Sequence, residues 1–333
     1  MRSGVRYIAP VVRIGVLGAA RITPVALFRP ARSVPEVRVE AVAARDPGRA
    51  MVVANKYHLP RVHPDYAALL DDPGLDAVYI PLPNGLHARW TLAALAAGKH
   101  VLCEKPLTAN AVQAREVARA AQAAGLVVME AFHYRYHPLM ARAVQILRAG
   151  EIGEVRRVRT RMCVWLPLPR DIRYRLDLAG GATMDTGCYA INCLRVLAGE
   201  EPAVVSARAK LLRPGIDRYM SAEFRFPGGA TGQMICALWS SRVLGVGFRV
   251  DGSRGSLRVL NYVVPHLYHR LTVRTPAGTR HERVPGESTY THQLRAFAAA
   301  VAGGAPVPSD AADGVRTMAV IDEVYRAAGL PPR

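Results

Sequence analysis

The first 132 residues alternate short apolar runs with helical patterns, and this alternation restricts the fold more than any other feature. The apolar runs occupy residues 13–18, 37–43, 75–80, 101–103 and 127–131, and helical patterns follow the first four at 19–29, 47–57, 86–97 and 110–124. Strands that are apolar throughout are buried on both faces, and helices between them cover a parallel sheet. We therefore predict an α/β chain that begins with a doubly wound parallel sheet at residues 13–132.

The pattern changes after about residue 151. Strand-like segments follow at 155–165, 204–212, 219–226, 230–238, 248–250 and 257–260, with helices predicted at 184–197, 289–302 and 310–328. Short strands in series are typical of an antiparallel sheet. We predict a short N-terminal extension at residues 1–12 and a second, α+β domain at residues 133–333, whose last helices pack back on the first domain.

The chain carries 44 Lys+Arg against 26 Asp+Glu, a net charge of +18 over 333 residues. Such an excess would suit a nucleic-acid partner, but only four of the basic residues are lysines and the arginines are dispersed rather than clustered. We therefore expect no nucleic-acid partner. There is neither a run of about 20 apolar residues nor a signal peptide, so we expect no membrane span and a cytoplasmic location. The five scattered cysteines predict reduced thiols and no metal site.

The first strand ends in a modified glycine fingerprint. Gly18, Ala20 and Thr23 occupy the three glycine positions of a dinucleotide-binding turn, so only the first glycine is present. Gly18 permits the tight turn, and Ala20 is small enough for backbone N–H groups to approach a pyrophosphate. The alternative is an ordinary strand-turn-helix unit without a ligand.

The second strand ends without the acidic residue that usually binds the adenosine ribose. Residues 43–46 read Ala-Ala-Arg-Asp, which leaves room for a 2′-phosphate and places Arg45 where it could pair with one; Arg21 could add a second charge. Alternatively, Asp46 only caps the next helix and Arg45 is solvated. The pattern favours NADP over NAD.

Two further strands end in residues that could carry chemistry. Pro81-Leu82-Pro83-Asn84-Gly85-Leu86-His87 follows one strand, and Glu104-Lys105-Pro106 follows the next. Open α/β sheets bind ligands at these carboxyl ends. Lys105 stands out because lysine is rare in this chain, and we expect partial burial to lower its pKa so that it exchanges a proton with a substrate hydroxyl. The alternative is a surface lysine paired with Glu104.

A polar face is predicted on the first helix of the second domain. Asp185, Tyr189 and Asn192 are spaced i, i+4 and i+7 and would point the same way. They could line a cleft or form a buried hydrogen-bonded cluster.

Taken together, GVLGAARI, AVAARD, PLPNGLH, CEKPL, MEAFHYRYHP and GGATMDTGCYAIN resemble the glucose-fructose oxidoreductase / inositol dehydrogenase (Gfo/Idh/MocA) family over nearly the whole chain. The chain is most similar to the branch with dimeric dihydrodiol dehydrogenases and NADP-dependent D-xylose dehydrogenases. The resemblance implies a Rossmann domain, a C-terminal domain with a large open sheet, hydride transfer with a nicotinamide cofactor, and dimers or tetramers that pair through that sheet.

The resemblance also implies roles for individual residues. Lys105, Tyr189 and Asp185 would be catalytic, with Lys105 and Tyr189 as the proton-transfer pair. The cofactor would contact residues of the fingerprint and of the strand ends: Gly18, Ala19, Ala20, Arg21, Ile22, Arg45, Pro81, Leu82, Pro83, Asn84, His87, Glu104 and Lys105. The substrate would contact Asp185 and Tyr189. Because they come just after the last strand of the first sheet, His133, Tyr134 and Arg135 are also expected to shape the substrate cleft, and the alternative for His133 and Tyr134 is packing between the domains. Loops 165–177 and 245–248 would set specificity.

We therefore expect an NADP-dependent oxidoreductase, with NAD possible, that acts on a sugar, polyol or trans-diol. Three alternatives stay open. The first is an enzyme that retains its cofactor and cleaves glycosides, the second a ketoreductase of nucleotide-linked sugars, and the third a non-catalytic protein that senses the cofactor or associates with nucleic acid.

Overall fold

The computed structural model describes residues 11–239 and 244–333. Within them the chain forms two sheets, one parallel and one mostly antiparallel. Most of the predicted 1–12 extension lies outside the described residues, and Val12 already belongs to the first strand. No helix in the described ranges is long and apolar enough to cross a membrane.

The first sheet has six parallel strands in the order β3-β2-β1-β4-β5-β6. Its strands are β1 (Val12–Leu17), β2 (Val37–Ala43), β3 (Arg61–His63), β4 (Ala77–Ile80), β5 (His100–Cys103) and β6 (Val128–Glu130). The helices between them are α1 (Arg29–Ala31), α2 (Pro47–Tyr57), α3 (Tyr66–Leu70), α4 (Asn84–Ala96) and α5 (Ala111–Ala124). The order reverses at β1, and in doubly wound folds a ligand cleft opens at that point.

The helix after β1 starts later than the sequence predicted. A turn occupies residues 21–22, and the helix begins with a π-helical turn, Pro24–Phe28, that continues into α1. Pro24 stands in the first turn, where its missing N–H costs nothing. Residues 19–22 thus form a loop with accessible backbone instead of the first helical turn.

The second sheet has eight strands in the order β14-β13-β12-β11-β7-β10-β9-β8. Its strands are β7 (Val155–Cys163), β8 (Ala203–Arg213), β9 (Ile216–Arg225), β10 (Thr231–Ala237), β11 (Gly245–Gly252), β12 (Ser256–Leu260), β13 (Arg270–Thr275) and β14 (Gly278–Glu282). The central β7 and β10 run parallel, and the other neighbours are antiparallel. Residues 245–248, predicted as a specificity loop, therefore lie in a strand.

In the described residues four further α-helices follow β6: α6 (Pro138–Arg148), α7 (Cys188–Ala198), α8 (Thr289–Gly303) and α9 (Ala311–Ala327). Helix α8 completes the core on one face of the first sheet, where Leu294 and Phe297 are buried with Leu102. Helix α9 packs between α5 and α7. The division at residue 132 remains a proposal, because the late helix α8 contributes to the core of the early sheet.

Candidate active site

The turn after β1 has the shape that a nucleotide-binding turn requires. Gly18 adopts φ +114°, and a Cβ there would lie 3.0 Å from Leu82 Cδ2. A side chain would therefore be strained and would meet the loop after β4. The Gly18 N–H donates to the Ala43 carbonyl at 2.7 Å, which joins this turn to the end of β2. Thr23, at the third fingerprint position, is buried within the fold.

Positive charge gathers beside this turn. Arg21 and Arg45 are both exposed. Arg49, which the sequence analysis missed, donates Nη2 to the Ala19 carbonyl at 2.9 Å. Burial raises the pKa of Tyr66, and the Arg45 N–H and the charges of Arg45 and Arg49 oppose this rise. Gly18 and the exposed cations fit a dinucleotide with a phosphate on its ribose.

The loops after β4 and β5 meet over a buried histidine. His87 was predicted to contact the cofactor, but its side chain is fully buried, with Nδ1 2.7 Å from the Pro106 carbonyl and Nε2 2.7 Å from the Leu82 carbonyl. Burial lowers its pKa while both carbonyls oppose that shift. Direct contact with a ribose is therefore ruled out in this arrangement, and His87 instead joins the two loops from below.

Asn84 and Glu104 occupy the edges of the cleft. Asn84 begins α4 and donates Nδ2 to the Ala179 carbonyl at 3.1 Å. Tyr79 donates its hydroxyl to Glu104 Oε1 at 2.7 Å. Burial raises the pKa of Glu104, and Lys105 opposes that rise. Pro81, Leu82 and Pro83 supply the chain between β4 and Asn84.

Lys105 is the centre of the site and contacts the second half of the chain. Its Nζ donates to the Asp185 carbonyl at 2.9 Å and to Asp185 Oδ1 at 3.3 Å. The same ammonium lies 4.9 Å from the centre of the Tyr189 ring. The residues that the motifs singled out separately, Lys105, Asp185 and Tyr189, are thus brought together.

The expected lowering of the Lys105 pKa is wrong. Burial is the largest single effect and lowers the Lys105 pKa, but Asp185, Cys188 and Glu104 together raise it more, so the net shift is upward. Burial raises the pKa of Asp185, but Lys105 and Arg173 more than offset this, and the net shift is downward. Lys105 is therefore a fixed ammonium, suited to stabilising negative charge rather than to removing protons.

Tyr189 carries the third ionisable group of this cluster, its hydroxyl. Its side chain is 5% exposed, and burial raises its pKa well above the usual value. The tyrosine is consequently protonated at rest, and the nearby ammonium favours the phenolate that a proton transfer would create. The helix around it also differs from the prediction, because residues Thr183–Gly187 form a π-helical turn before α7.

Asn192 and the residues after β6 do not line the cleft. Asn192 is fully buried and accepts from the Tyr134 hydroxyl at 2.6 Å, while its amide donates to Asp313 at 3.2 Å. Arg135 pairs with the same Asp313. Tyr134 and Arg135, which were predicted to shape the substrate cleft, therefore belong to a buried network beneath α7. For Asn192, the structure agrees with the alternative of a buried hydrogen-bonded cluster.

The loop at residues 164–180 covers the site. Its Arg173 lies with Nε 3.3 Å from Asp185 Oδ2, and its guanidinium side chain is 45% exposed. A Cβ on Gly85 would lie 3.2 Å from the backbone carbon of Leu178, so the loop rests on the start of α4. The sequence assigned this loop to specificity but identified no residue in it. Within the described ranges no group of three or more His, Cys, Asp or Glu side chains could hold a metal ion.

Comparison with known proteins gives matches to both halves of the chain. Residues 12–132 match the model described as an oxidoreductase family with an NAD-binding Rossmann fold, and residues 140–258 match the GFO/IDH/MocA C-terminal domain. The chain is 38% identical to D-xylose 1-dehydrogenase (NADP(+)) 2 of Haloferax volcanii, over 94% of this chain and 96% of that protein.

Two similar proteins act on nucleotide-linked sugars or are described as ketoreductases. The chain is 36% identical, over 99% of both proteins, to dTDP-3,4-didehydro-2,6-dideoxy-alpha-D-glucose 3-reductase of Streptomyces violaceoruber. A crystal structure of a 3-ketoreductase from Actinomadura kijaniata, in complex with NADP and TDP-benzene, superposes with a TM-score of 0.89 at 30% identity, covering 95% of this chain and 98% of the other.

Proposed function

Because the chain belongs to the Gfo/Idh/MocA oxidoreductase family, we propose that it is an NADP-dependent enzyme that transfers a hydride to or from a hydroxyl-bearing carbon of a sugar, polyol or trans-diol. The contact of Lys105 with Asp185 and Tyr189, at the carboxyl end of β5, is the observation that carries this proposal. A nicotinamide cofactor supplies the hydride chemistry when bound.

The residues of the chain would divide the remaining work. Tyr189 exchanges the proton of the substrate oxygen, giving it during reduction and taking it during oxidation. Lys105 holds the substrate oxygen and the phenolate by its positive charge, and Asp185 keeps that lysine charged and in place. Gly18, Ala19, Ala20 and Ile22 would approach the pyrophosphate through their backbone.

The preference for NADP is supported by the residues that follow β2. Arg45 and Arg49 place two guanidiniums near the Gly18 turn. Arg45 rather than a carboxylate directly follows Ala43 and Ala44, and the next carboxylate, Asp46, is engaged in capping α2. The related xylose dehydrogenase is named for NADP, which agrees with this arrangement.

The test is a purified enzyme assay. Each cofactor is titrated by nicotinamide fluorescence, and a panel of aldoses, polyols and trans-diols is followed by the absorbance of the reduced nicotinamide. We expect tighter binding of NADP and turnover of at least one substrate class. Absence of both binding and turnover would contradict the proposal.

A second candidate is reduction of a keto group on a nucleotide-linked sugar. It is favoured by the 36% identity to the Streptomyces violaceoruber reductase and by the exposed guanidinium of Arg173 beside Asp185, which could meet an anionic substrate. Comparing NADPH oxidation with a nucleotide-linked keto sugar against NADP reduction with free aldoses separates the two candidates.

We also propose a cytoplasmic homo-oligomer that pairs through the open face of the second sheet. Arg159, Arg249 and Arg258 are opposite one another on neighbouring strands of that face, and Asp251 pairs with two of them at 2.6 Å. Pairing of two such faces would depend on salt, because like charges would meet. Analytical ultracentrifugation at low and high salt tests this, and a monomer at all salt concentrations would refute it.

A further inference from the structure

A histidine links Tyr189 to a threonine from a distant part of the chain. His133 begins the short 3₁₀ turn His133–Tyr136 and is 1% exposed. Its Nε2 lies 3.0 Å from the Tyr189 hydroxyl, and its Nδ1 lies 2.8 Å from the Thr289 hydroxyl. The sequence analysis placed His133 at the substrate cleft, with packing between the domains as the alternative, and here its two ring nitrogens are engaged by Thr289 and Tyr189.

Counting donors and acceptors selects one tautomer. Thr289 is fully buried, and within the described residues its hydroxyl has no hydrogen-bond partner other than His133. If that hydroxyl only accepted, its own proton would be buried without an acceptor, which is costly. The arrangement that satisfies every group has Thr289 donating to Nδ1 and the Nε2–H donating to Tyr189. The phenol proton of Tyr189 is then free to point into the cleft.

The geometry points to a positioning role: we propose that His133 donates its Nε2–H to the Tyr189 oxygen and stabilises the phenolate that forms whenever Tyr189 gives up its proton. This inference rests on the proposed function for the reaction itself. During reduction, the O–H bond of Tyr189 breaks, its electron pair stays on the phenolate oxygen, and a new O–H bond forms on the substrate oxygen. Solvent returns the proton after product leaves, and oxidation runs in reverse.

The surroundings keep His133 neutral in this role. Burial, together with the smaller effects of Lys105 and His266, lowers its pKa to about 3. Burial raises the pKa of Tyr189 most, and Tyr290, Glu104, Cys188 and Asp185 raise it further, while the Lys105 ammonium lies 4.9 Å from the Tyr189 ring centre. Tyr290 also covers the imidazole, with ring centres 4.0 Å apart. The neutral Nε2–H of His133 thus opposes the effect of burial on the Tyr189 pKa, and it adds no charge of its own.

Direct titration tests the inference without turnover. Ionisation of Tyr189 is followed as the ultraviolet difference between each protein and its Tyr189→Phe counterpart. His133→Phe keeps a ring against Tyr290 but removes both nitrogens, and Thr289→Val removes the hydroxyl that fixes the tautomer. We expect both changes to raise the Tyr189 pKa, by about one to two pH units for His133→Phe. Thr289→Ser keeps the hydroxyl and should retain the parental midpoint.

Kinetics supply the second measurement. In the oxidative direction, the rise of kcat with pH should move to higher pH in His133→Phe and Thr289→Val, with kcat reduced about 10- to 100-fold for His133→Phe. An unchanged Tyr189 midpoint and pH profile in both variants would overturn the inference even if KM or stability changed. If His133→Phe does not fold, the Tyr189 midpoint and the pH profile of Thr289→Val decide whether the inference holds. If the parent shows no turnover, the proposed function fails while the titration still judges the hydrogen bond.

Discussion

Replacing Lys105 by methionine tests the charge at the centre of the site. The lysine side chain is 14% exposed, and its ammonium lies 4.9 Å from the Tyr189 ring centre. At that separation and an effective dielectric constant of about 20, the charge stabilises a phenolate by about 3 kcal/mol. Because each 1.36 kcal/mol is a factor of ten in rate, Lys105→Met should lower kcat by more than about a hundredfold.

The control is another buried lysine. Lys99 is 7% exposed and donates Nζ to the Asp72 and Leu75 carbonyls; it lies at the amino end of β5, whereas Lys105 lies after the carboxyl end. Lys99→Met should lower the stability but leave kcat near the parental value. Steady-state kinetics of both variants, with cofactor binding followed by nicotinamide fluorescence, separates chemistry from binding. A Lys105→Met enzyme that binds cofactor and keeps a tenth or more of kcat would refute the reasoning.

Three further predictions concern Arg45 at the proposed cofactor site and two buried carboxylates, Asp217 and Glu130. Arg45→Ala should weaken NADP about tenfold in fluorescence titrations and leave NAD unchanged; equal weakening of both would contradict the 2′-phosphate assignment. Arg333 Nη2 lies 2.8 Å from the fully buried Asp217 carboxylate, so Arg333→Met leaves that carboxylate without its counter-charge. The free energy of unfolding, measured in urea, should fall by about 3–5 kcal/mol, and adding Asp217→Asn should restore part of it. Burial raises the pKa of Glu130 to about 8, so the folded state binds a proton that the unfolded state has lost, and stability falls as pH rises from about 4.5 to 8. Glu130→Gln should flatten that decline in urea titrations, and an unchanged slope would count against it.

The early sheet was predictable because its strands are buried on both faces. The pattern predicted β2 and α2 with the bounds that the structure has, Val37–Ala43 and Pro47–Tyr57. It missed β3, which is only three residues long and lies at the edge of the sheet. It also missed α6, although Pro138 begins that helix and Gly150 lies just beyond its end.

The candidate site was only partly predictable. Lys105, Asp185 and Tyr189 could be singled out because each stands at a strand end or on a helix face with unusual chemistry. Thr289 could not, since it lies 156 residues from His133 and meets it only through the packing of α8. Tyr134 and Arg135 were expected at the substrate cleft, with packing between the domains as the alternative for Tyr134. Both instead contact the buried network of Asn192 and Asp313, because a polar residue beside a cleft and one in a buried network look alike in sequence.

The contact between the covering loop, residues 164–180, and Gly85 has a consequence for how substrate specificity can change during evolution. The loop touches α4 through main-chain atoms, the Leu178 carbon near Gly85 and the Ala179 carbonyl bound by Asn84. The exposed side chains of Trp165, Leu168, Ile172 and Leu176 can therefore be exchanged without altering the path of the loop, whereas Tyr174 is buried and donates to the Leu166 carbonyl. Substitution of those exposed side chains can therefore change which substrate is accepted, while the contact at Gly85 keeps the loop in the same position over the site.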